Sequence, residues 1–302
     1  MATAGGFCAI LLWSTTVAVS RSLAEQVGPL AAAAAVYAVS GAISLFQLAR
    51  SGERRRLIIS LPRNYLAVCG MLFISYMLFL FLAVGLAAGR RQVLEVALLN
   101  YLWPALTLLF LAALPGHRTR PAFLAAGSFL AITGVFLVLT EGSGISWNSF
   151  LKSIASGPAA CSLGLSAAVT WALYSVLTRK WAGGSESGAV DLFLPATGAV
   201  FILLCLLSGE TRAMSFRPAM EAVFLGAATY AGYALWDQAM RLGSAVAVTA
   251  ASYLTPFFST VASCLYLGVI PGPGLWWGCG MLITGSFLSW LSVKSVEPVR
   301  QE

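Results

Sequence analysis

Long apolar runs, each about the length that crosses a bilayer, alternate along this chain with short polar breaks. A spanning helix needs about 20 mainly apolar residues, and ten segments fit that pattern. The first five are Thr3–Ser20, Pro29–Ala49, Tyr65–Ala88, Gln92–Leu114 and Pro121–Thr140. The second five are Pro158–Thr178, Gly188–Leu207, Ala219–Met240, Ala245–Leu267 and Gly274–Val293. The shallowest break separates Met240 from Ala245 and is marked by Arg241, Gly243 and Ser244. Other breaks carry stronger turn residues, such as Pro115-Gly116 and Pro271-Gly272-Pro273-Gly274. The longest connectors, Arg50–Asn64 and Glu141–Gly157, are too short for a soluble domain, so function has to reside within the membrane.

Composition agrees with that reading. Of 302 residues, 59% are hydrophobic and 10% charged, whereas a soluble domain carries about 25% charged residues. The net charge of +7 does not point to nucleic acid, because the basic residues sit at the ends of apolar runs. No basic stripe interleaved with aromatics appears, as single-strand binding requires. Lysine and arginine at helix ends set orientation instead. With the N-terminus cytoplasmic, the inside loops hold Arg50, Arg54, Arg55, Arg56, Arg63, Arg118, Arg120, Arg179, Lys180, Arg241, Lys294 and Arg300. The outside loops hold Arg21, Arg90, Arg91, Lys152, Arg212 and Arg217, half as many. Both termini are therefore expected in the cytoplasm. The Arg54-Arg55-Arg56 cluster also suits anionic lipid, with a topogenic role as the simpler reading. The first apolar run lacks a basic leader, so it is expected to stay as a helix rather than be cleaved.

Cys8, Cys69, Cys161, Cys205, Cys264 and Cys279 all lie inside apolar runs without a CxxC pair, as small apolar fillers do. Neither disulfides nor a metal site is expected. His117 falls in a Pro-Gly-His-Arg turn with no second ligand nearby.

The two halves resemble each other at ordered points. Trp13 and Arg21 match Trp171 and Arg179; Tyr101-Leu102-Trp103-Pro104 matches Tyr253-Leu254-Thr255-Pro256; Gly127 and Gly134 match Gly278 and Gly285. Each half holds five segments, an odd number, so the second half enters the membrane from the opposite side. The expected organisation is an all-α polytopic membrane protein with ten transmembrane helices in two inverted five-helix repeats. These are residues 1–143 and 158–293, followed by a cytoplasmic tail over 294–302. Inverted repeats of this kind recur in secondary transporters, which expose a central site to each side in turn.

These features together resemble the EamA-type drug/metabolite transporter superfamily: the doubled five-helix pattern, a proline midway through each fourth helix and GxxxxxxG in each fifth. Trp13-Ser14-Thr15, Ser75-Tyr76, Glu95-Val96, Asn100-Tyr101-Leu102-Trp103-Pro104, Trp171-(x2)-Tyr174 and Ser252-Tyr253-(x2)-Pro256 are similar to its amino-acid exporters. The resemblance covers nearly the whole chain. It implies a bacterial inner-membrane protein that exports aromatic and other neutral amino acids and related metabolites, without a cofactor.

Glu95 stands inside an apolar run, and an intramembrane carboxylate marks a functional position by default. It suits a substrate ammonium, a coupling proton, or a structural pair with Arg90 or Arg91. On an ideal helix Glu95, Asn100, Trp103 and Thr107 span about 140° of arc, a polar and aromatic stripe that suits a cavity. Pro104 and Pro256 interrupt their helices and are candidate hinges. Thr249, Ser252, Pro256 and Ser263 form a related stripe. Tyr230, Tyr233, Asp237 and Arg241 share one helix face, with Trp236 beside them; Asp237 suits either a pair with Arg241 or a coupling role. Trp13 and Trp171 sit well inside their runs, as pocket walls do, with Tyr174 one turn after Trp171. The expected substrate residues are thus Trp13, Tyr76, Glu95, Asn100, Tyr101, Trp103, Trp171, Tyr174, Tyr230, Tyr233, Trp236, Ser252 and Tyr253. The glycine pairs read as packing positions.

Among the alternatives, a broader drug or organic-cation exporter fits the aromatic residues, since ring faces attract cations. A phosphorylated substrate does not fit, because the apolar interior offers no basic residue. An enzyme needs a catalytic constellation at membrane depth, and neither HExxH nor a Ser/His pair occurs. No GxxxxGKS loop is present to make ATP the direct driver.

Overall fold

The computed structural model describes residues 1–87, 90–114, 117–140, 146–148, 157–210, 214–259, 261 and 273–295. The described chain is nearly all helix. In order it forms α1 (Ala2–Val27), α2 (Pro29–Arg50), α3 (Gly52–Ile59), a π-helical turn (Tyr65–Cys69) running into α4 (Gly70–Gly85), α5 (Arg90–Asn100), α6 (Trp103–Ala112), α7 (Pro121–Thr140), α8 (Pro158–Ala182), α9 (Val190–Ser208), α10 (Phe216–Leu242), α11 (Ala245–Ala251) and α12 (Pro273–Ser292). Two three-residue strands, β1 (His117–Thr119) and β2 (Val293–Ser295), pair antiparallel. His117, expected in a turn, instead opens β1 with its backbone opposite Ser295.

Among the described residues, six helices are long and apolar enough to cross a bilayer: Pro29–Arg50, Tyr65–Gly85, Glu95–Ala112, Pro121–Thr140, Pro158–Ala182 and Val190–Ser208. This is a multi-pass membrane chain. Phe46, Met71, Phe129, Leu206, Leu207 and Trp277 are exposed, the inverse of a soluble surface and the expected contact with lipid. The ninth expected segment is described only as far as 261, and Cys264 and Ser263 lie outside the described residues.

Helix boundaries follow local chemistry. Gly28 adopts φ +92° and returns its N–H to the Ala24 carbonyl, after which Pro29 starts α2. The positive φ of Gly28 favours glycine there, and a Cβ would also lie 2.8 Å from Glu210 Oε2. Ser51 caps α3, its hydroxyl accepting from the Arg54 N–H at 3.1 Å. The α9 helix ends on Gly209, φ +70°.

The chain divides into two compact units. Met1–Ile74 with Leu177–Gly243 makes the first, and Ser75–Val176 with Ser244–Glu302 the second. The division falls inside α4 and α8.

In the first unit α1 packs on α10 and α2 on α9. Leu23, Val27, Ala32, Ala222 and Leu225 form a buried apolar cluster. Small residues permit close approach: a Cβ at Gly198 would meet the Tyr37 carbonyl at 2.8 Å, and one at Gly226 the Val39 side chain at 2.5 Å.

In the second unit α7 packs along α12, and α6 against α11. A Cβ at Gly127 would sit 2.9 Å from the Gly285 carbonyl, and one at Gly134 2.7 Å from the Gly278 carbonyl. The backbones therefore touch at both crossings, with the sequence running in opposite directions. Gly127 matches Gly278 in the sequence repeat and Gly134 matches Gly285, so the repeat exchanges one contact for the other.

Candidate functional site

The fourth apolar segment is broken. The α5 helix ends at Asn100, two residues turn, and α6 begins at Trp103 with Pro104 in its first turn. Across the break the Leu102 N–H donates to Leu99 O at 3.2 Å, a tightened turn. The repeat-related segment behaves alike: α11 ends at Ala251, and Ser252–Leu254 forms a 3₁₀ turn just before Pro256. Proline lacks an N–H, so the Ser252 carbonyl loses its α-helical donor and accepts the Thr255 N–H of the 3₁₀ turn instead. The Thr255 hydroxyl also donates to that carbonyl at 2.8 Å. The Ser286 hydroxyl of α12 donates to the Ala250 carbonyl at 2.6 Å. Both prolines thus interrupt their helices as the sequence suggests, though as tight turns rather than smooth kinks.

The second unit gathers an aromatic group around this break. Trp171 lies 4.8 Å from Tyr76, 5.1 Å from Tyr174 and 6.3 Å from Trp103, between ring centroids. The Trp103–Trp171 contact is edge-to-face, a favourable aromatic geometry. The Tyr76 hydroxyl meets the side chain of Asn100, and Tyr101 is close enough to interact with Tyr76. Trp103, Trp171 and Tyr174 are buried. Glu95 is wholly buried one turn before Asn100, within electrostatic range of Cys161. A Cβ at Gly164 would lie 3.2 Å from Val96, so α8 packs closely beside Glu95. The side chains of Arg90 and Arg91 lie outside the described residues. Thr107 turns its hydroxyl back to the Trp103 carbonyl at 2.7 Å.

Ser252 and Tyr253 point elsewhere. Ser252 bonds the Thr249 carbonyl at 2.6 Å. Tyr253 is fully buried, its hydroxyl 3.4 Å from Ser128 of α7 and in reach of Ser289 of α12. Tyr253 thus packs the turn after α11 against α7 and α12, whereas its repeat partner Tyr101 faces Tyr76.

The first unit holds a separate aromatic group. Trp13 lies 5.5 Å from Tyr233 and 5.3 Å from Trp236, and Tyr233 stands edge-on to Phe73 at 5.1 Å. A Cβ at Gly232 would come within 2.6 Å of Trp13 Nε1, so the missing side chain is what admits the indole to the α10 backbone.

Next to it lies a polar network. Arg241 Nε donates to Asp237 Oδ2 at 2.8 Å, with both side chains at most 5% exposed. The Tyr65 hydroxyl donates to Asp237 Oδ1 at 2.9 Å and accepts the Ala189 N–H at 3.1 Å. A further guanidinium bond joins Arg241 to the Ser185 carbonyl. Arg54 pairs with Asp191 at 2.6 Å and reaches the Tyr230 hydroxyl at 3.4 Å. Arg179 donates to the carbonyls of Met240, Arg241 and Gly243 at the end of α10, where a cation also opposes the negative helix terminus.

Asp237 and Arg241 are paired, as their spacing allows. Sequence reasoning misses Tyr65 and Asp191. The available signal is an acid just inside the seventh apolar run, whereas Arg54 reads from sequence as a topological or lipid-facing charge rather than as its partner.

Residues 158–291 match the EamA-like transporter family. The chain is 32% identical over 294 residues to the aromatic amino acid exporter YddG of Salmonella typhimurium, covering 97% of this chain and 98% of that protein. It shows the same identity and coverage with the protein of that name from Escherichia coli. It is 31% identical over 310 residues to the one from Ancylobacter novellus. A solved crystal structure superposes with TM-score 0.81 at 28% identity, over 96% of both chains.

Proposed function

We infer that this chain, which belongs to the EamA-type drug/metabolite transporter superfamily and is YddG-like, exports aromatic and other neutral amino acids. The observation that carries the reading is the aromatic group of half-buried Tyr76 with buried Trp103, Trp171 and Tyr174, and with Asn100 and Glu95 beside it. Aromatic walls with a few polar groups suit a small amphiphilic ligand. A ring offers stacking to an aromatic side chain, a carboxylate attracts an ammonium, and an amide addresses a carboxyl group. The names of the relatives agree.

The proposed mechanism is alternating access by a secondary transporter with ten spans in two inverted repeats. Its support is packing: α2 meets α9 and α7 meets α12, each a pair of repeat equivalents, and α6 meets α11, opposite halves of the two matching broken segments. A two-fold relation brings equivalent elements together in this way, and the exchanged glycine contacts agree with it. The Pro104 and Pro256 turns are the proposed hinges. The remaining proposed substrate residues are Trp13, Tyr230, Tyr233, Trp236, Tyr101, Ser252 and Tyr253, the last two acting through helix position. Glu95 and Asp237 are the proposed coupling acids; the Arg241 and Tyr65 bonds favour a structural part for Asp237. The proposed location is the inner membrane with both termini cytoplasmic, supported by the arginine and lysine asymmetry. Transport rather than catalysis is the proposed activity.

The test is flux of labelled amino acids by the purified protein in liposomes, with and without a pH gradient. Saturable flux of phenylalanine or a neutral amino acid supports the reading. Flux of quaternary or aromatic cations without any amino acid would replace it with an organic-cation exporter, which the tryptophan faces also suit.

A further inference from the structure

Four arginines in the α2–α4 connection remain unexplained by transport. Arg50, Arg55, Arg56 and Arg63 are all exposed, and Glu53 is the single acid between positions 50 and 63. Arg54, in their midst, is turned inward: it pairs with buried Asp191 and reaches Tyr230. One turn later Ile58 is 1% exposed, while Ile59 is 78% exposed. The helix thus has one face fastened to its unit and another that presents Arg55, Arg56 and Ile59 together, at spacings that share a surface. It connects two spans, Pro29–Arg50 and Tyr65–Gly85, so it lies where the bilayer meets water.

We propose that α3 with Arg50 and Arg63 is a docking surface for anionic phospholipid headgroups. Charge complementarity selects the partner: guanidinium groups bind phosphate in forked geometry. The exposed isoleucine fits the boundary between headgroups and acyl chains, where basic amphipathic helices lie. The Arg54–Asp191 pair and buried Ile58 hold the helix in place, so the surface is already formed before lipid arrives. The inference rests on membrane embedding, not on the identity of the transported substrate.

The experiment is thermal unfolding of the full chain in neutral detergent, titrated with phosphatidylglycerol, phosphatidylcholine or free glycerol 3-phosphate. Phosphatidylglycerol is expected to raise Tm saturably, less so as salt screens the charges, and the other two to leave it unchanged. R55Q/R56Q is expected to move the phosphatidylglycerol midpoint upward by about thirtyfold, since each of the two basic residues near an anionic surface contributes about 1 kcal/mol. R55K/R56K is expected to fall between the unaltered chain and R55Q/R56Q, keeping the charge and losing the fork. If R55Q/R56Q does not fold, R50Q/R63Q is read in the same titration. A midpoint unchanged in the glutamine variant, or an equal response to phosphatidylcholine, overturns the proposal. An equal response to glycerol 3-phosphate overturns the lipid assignment in favour of a free-anion site.

Discussion

Arg54 meets Asp191 at 2.6 Å, yet the two side chains live in different surroundings, 36% and 1% exposed. The pair is therefore asymmetric. Removing the arginine strands a carboxylate in a buried site, whereas removing the acid leaves an arginine that still reaches water. Breaking a buried pair is most costly when an uncompensated buried charge remains. Arg54→Gln is expected to destabilise by about 2 kcal/mol and Asp191→Asn by about 1 kcal/mol or less, after allowance for the exposed arginine. Thermal unfolding of the two variants in detergent decides it, and an equal or reversed order refutes the asymmetry.

Gly285 lies so close to α7 that a Cβ would come within 2.4 Å of the Ala131 amide nitrogen. Backbone cannot yield as a flexible side chain does. Gly285→Ala is expected to destabilise by about 2 kcal/mol. Gly280 sits on the same helix, and a Cβ added there would meet nothing within 4 Å. Gly280→Ala should therefore be neutral or slightly stabilising through helix propensity. Chemical or thermal unfolding that ranks the two alike would refute close α7–α12 packing.

Trp171 touches Tyr76, Trp103 and Tyr174 at once. If this group binds substrate, Trp171→Phe should keep part of the flux and Trp171→Ala should lose about tenfold or more. Glu95→Gln should cut amino-acid flux while membrane insertion stays intact. The measurement is initial flux in liposomes at matched protein amounts, and normal rates in both Trp171→Ala and Glu95→Gln would remove these residues from the pathway.

Pro256 separates thermodynamic from kinetic roles. In Pro256→Ala an amide N–H becomes available to the Ser252 carbonyl now served by Thr255. A regained helical bond contributes about 1 kcal/mol, so the variant should unfold at higher temperature. If the turn acts as a hinge, transport should slow at the same time. Higher stability with unchanged turnover would leave Pro256 as a static feature.

Six of the spans, the proline sites and the Asp237–Arg241 pair are legible because each depends on nearby sequence: a run length, a missing N–H, a four-residue spacing. The glycine pairs are legible as packing positions for the same reason, since a repeat exposes them. Tyr65 and Asp191 are not, because their partners Asp237 and Arg54 come from distant segments. Nor is the difference between Tyr101 and Tyr253 readable. The two occupy matching turns, but Tyr101 interacts with Tyr76 while Tyr253 is committed to Ser128. The repeat specifies backbone position and leaves side-chain environment to the neighbours.

The pairing of α1 with α10, α2 with α9, α6 with α11 and α7 with α12 also bears on how such a chain can be made. Each pair joins an early segment to a late one. A ribosome that has finished only the first half has therefore produced helices whose companions do not yet exist. Those early helices must wait in the bilayer, or be sheltered by an insertase, until the later ones arrive. Two fragments separated at the connector after α7 should reassemble when made together, and a lone half should be degraded or should borrow a second copy of itself.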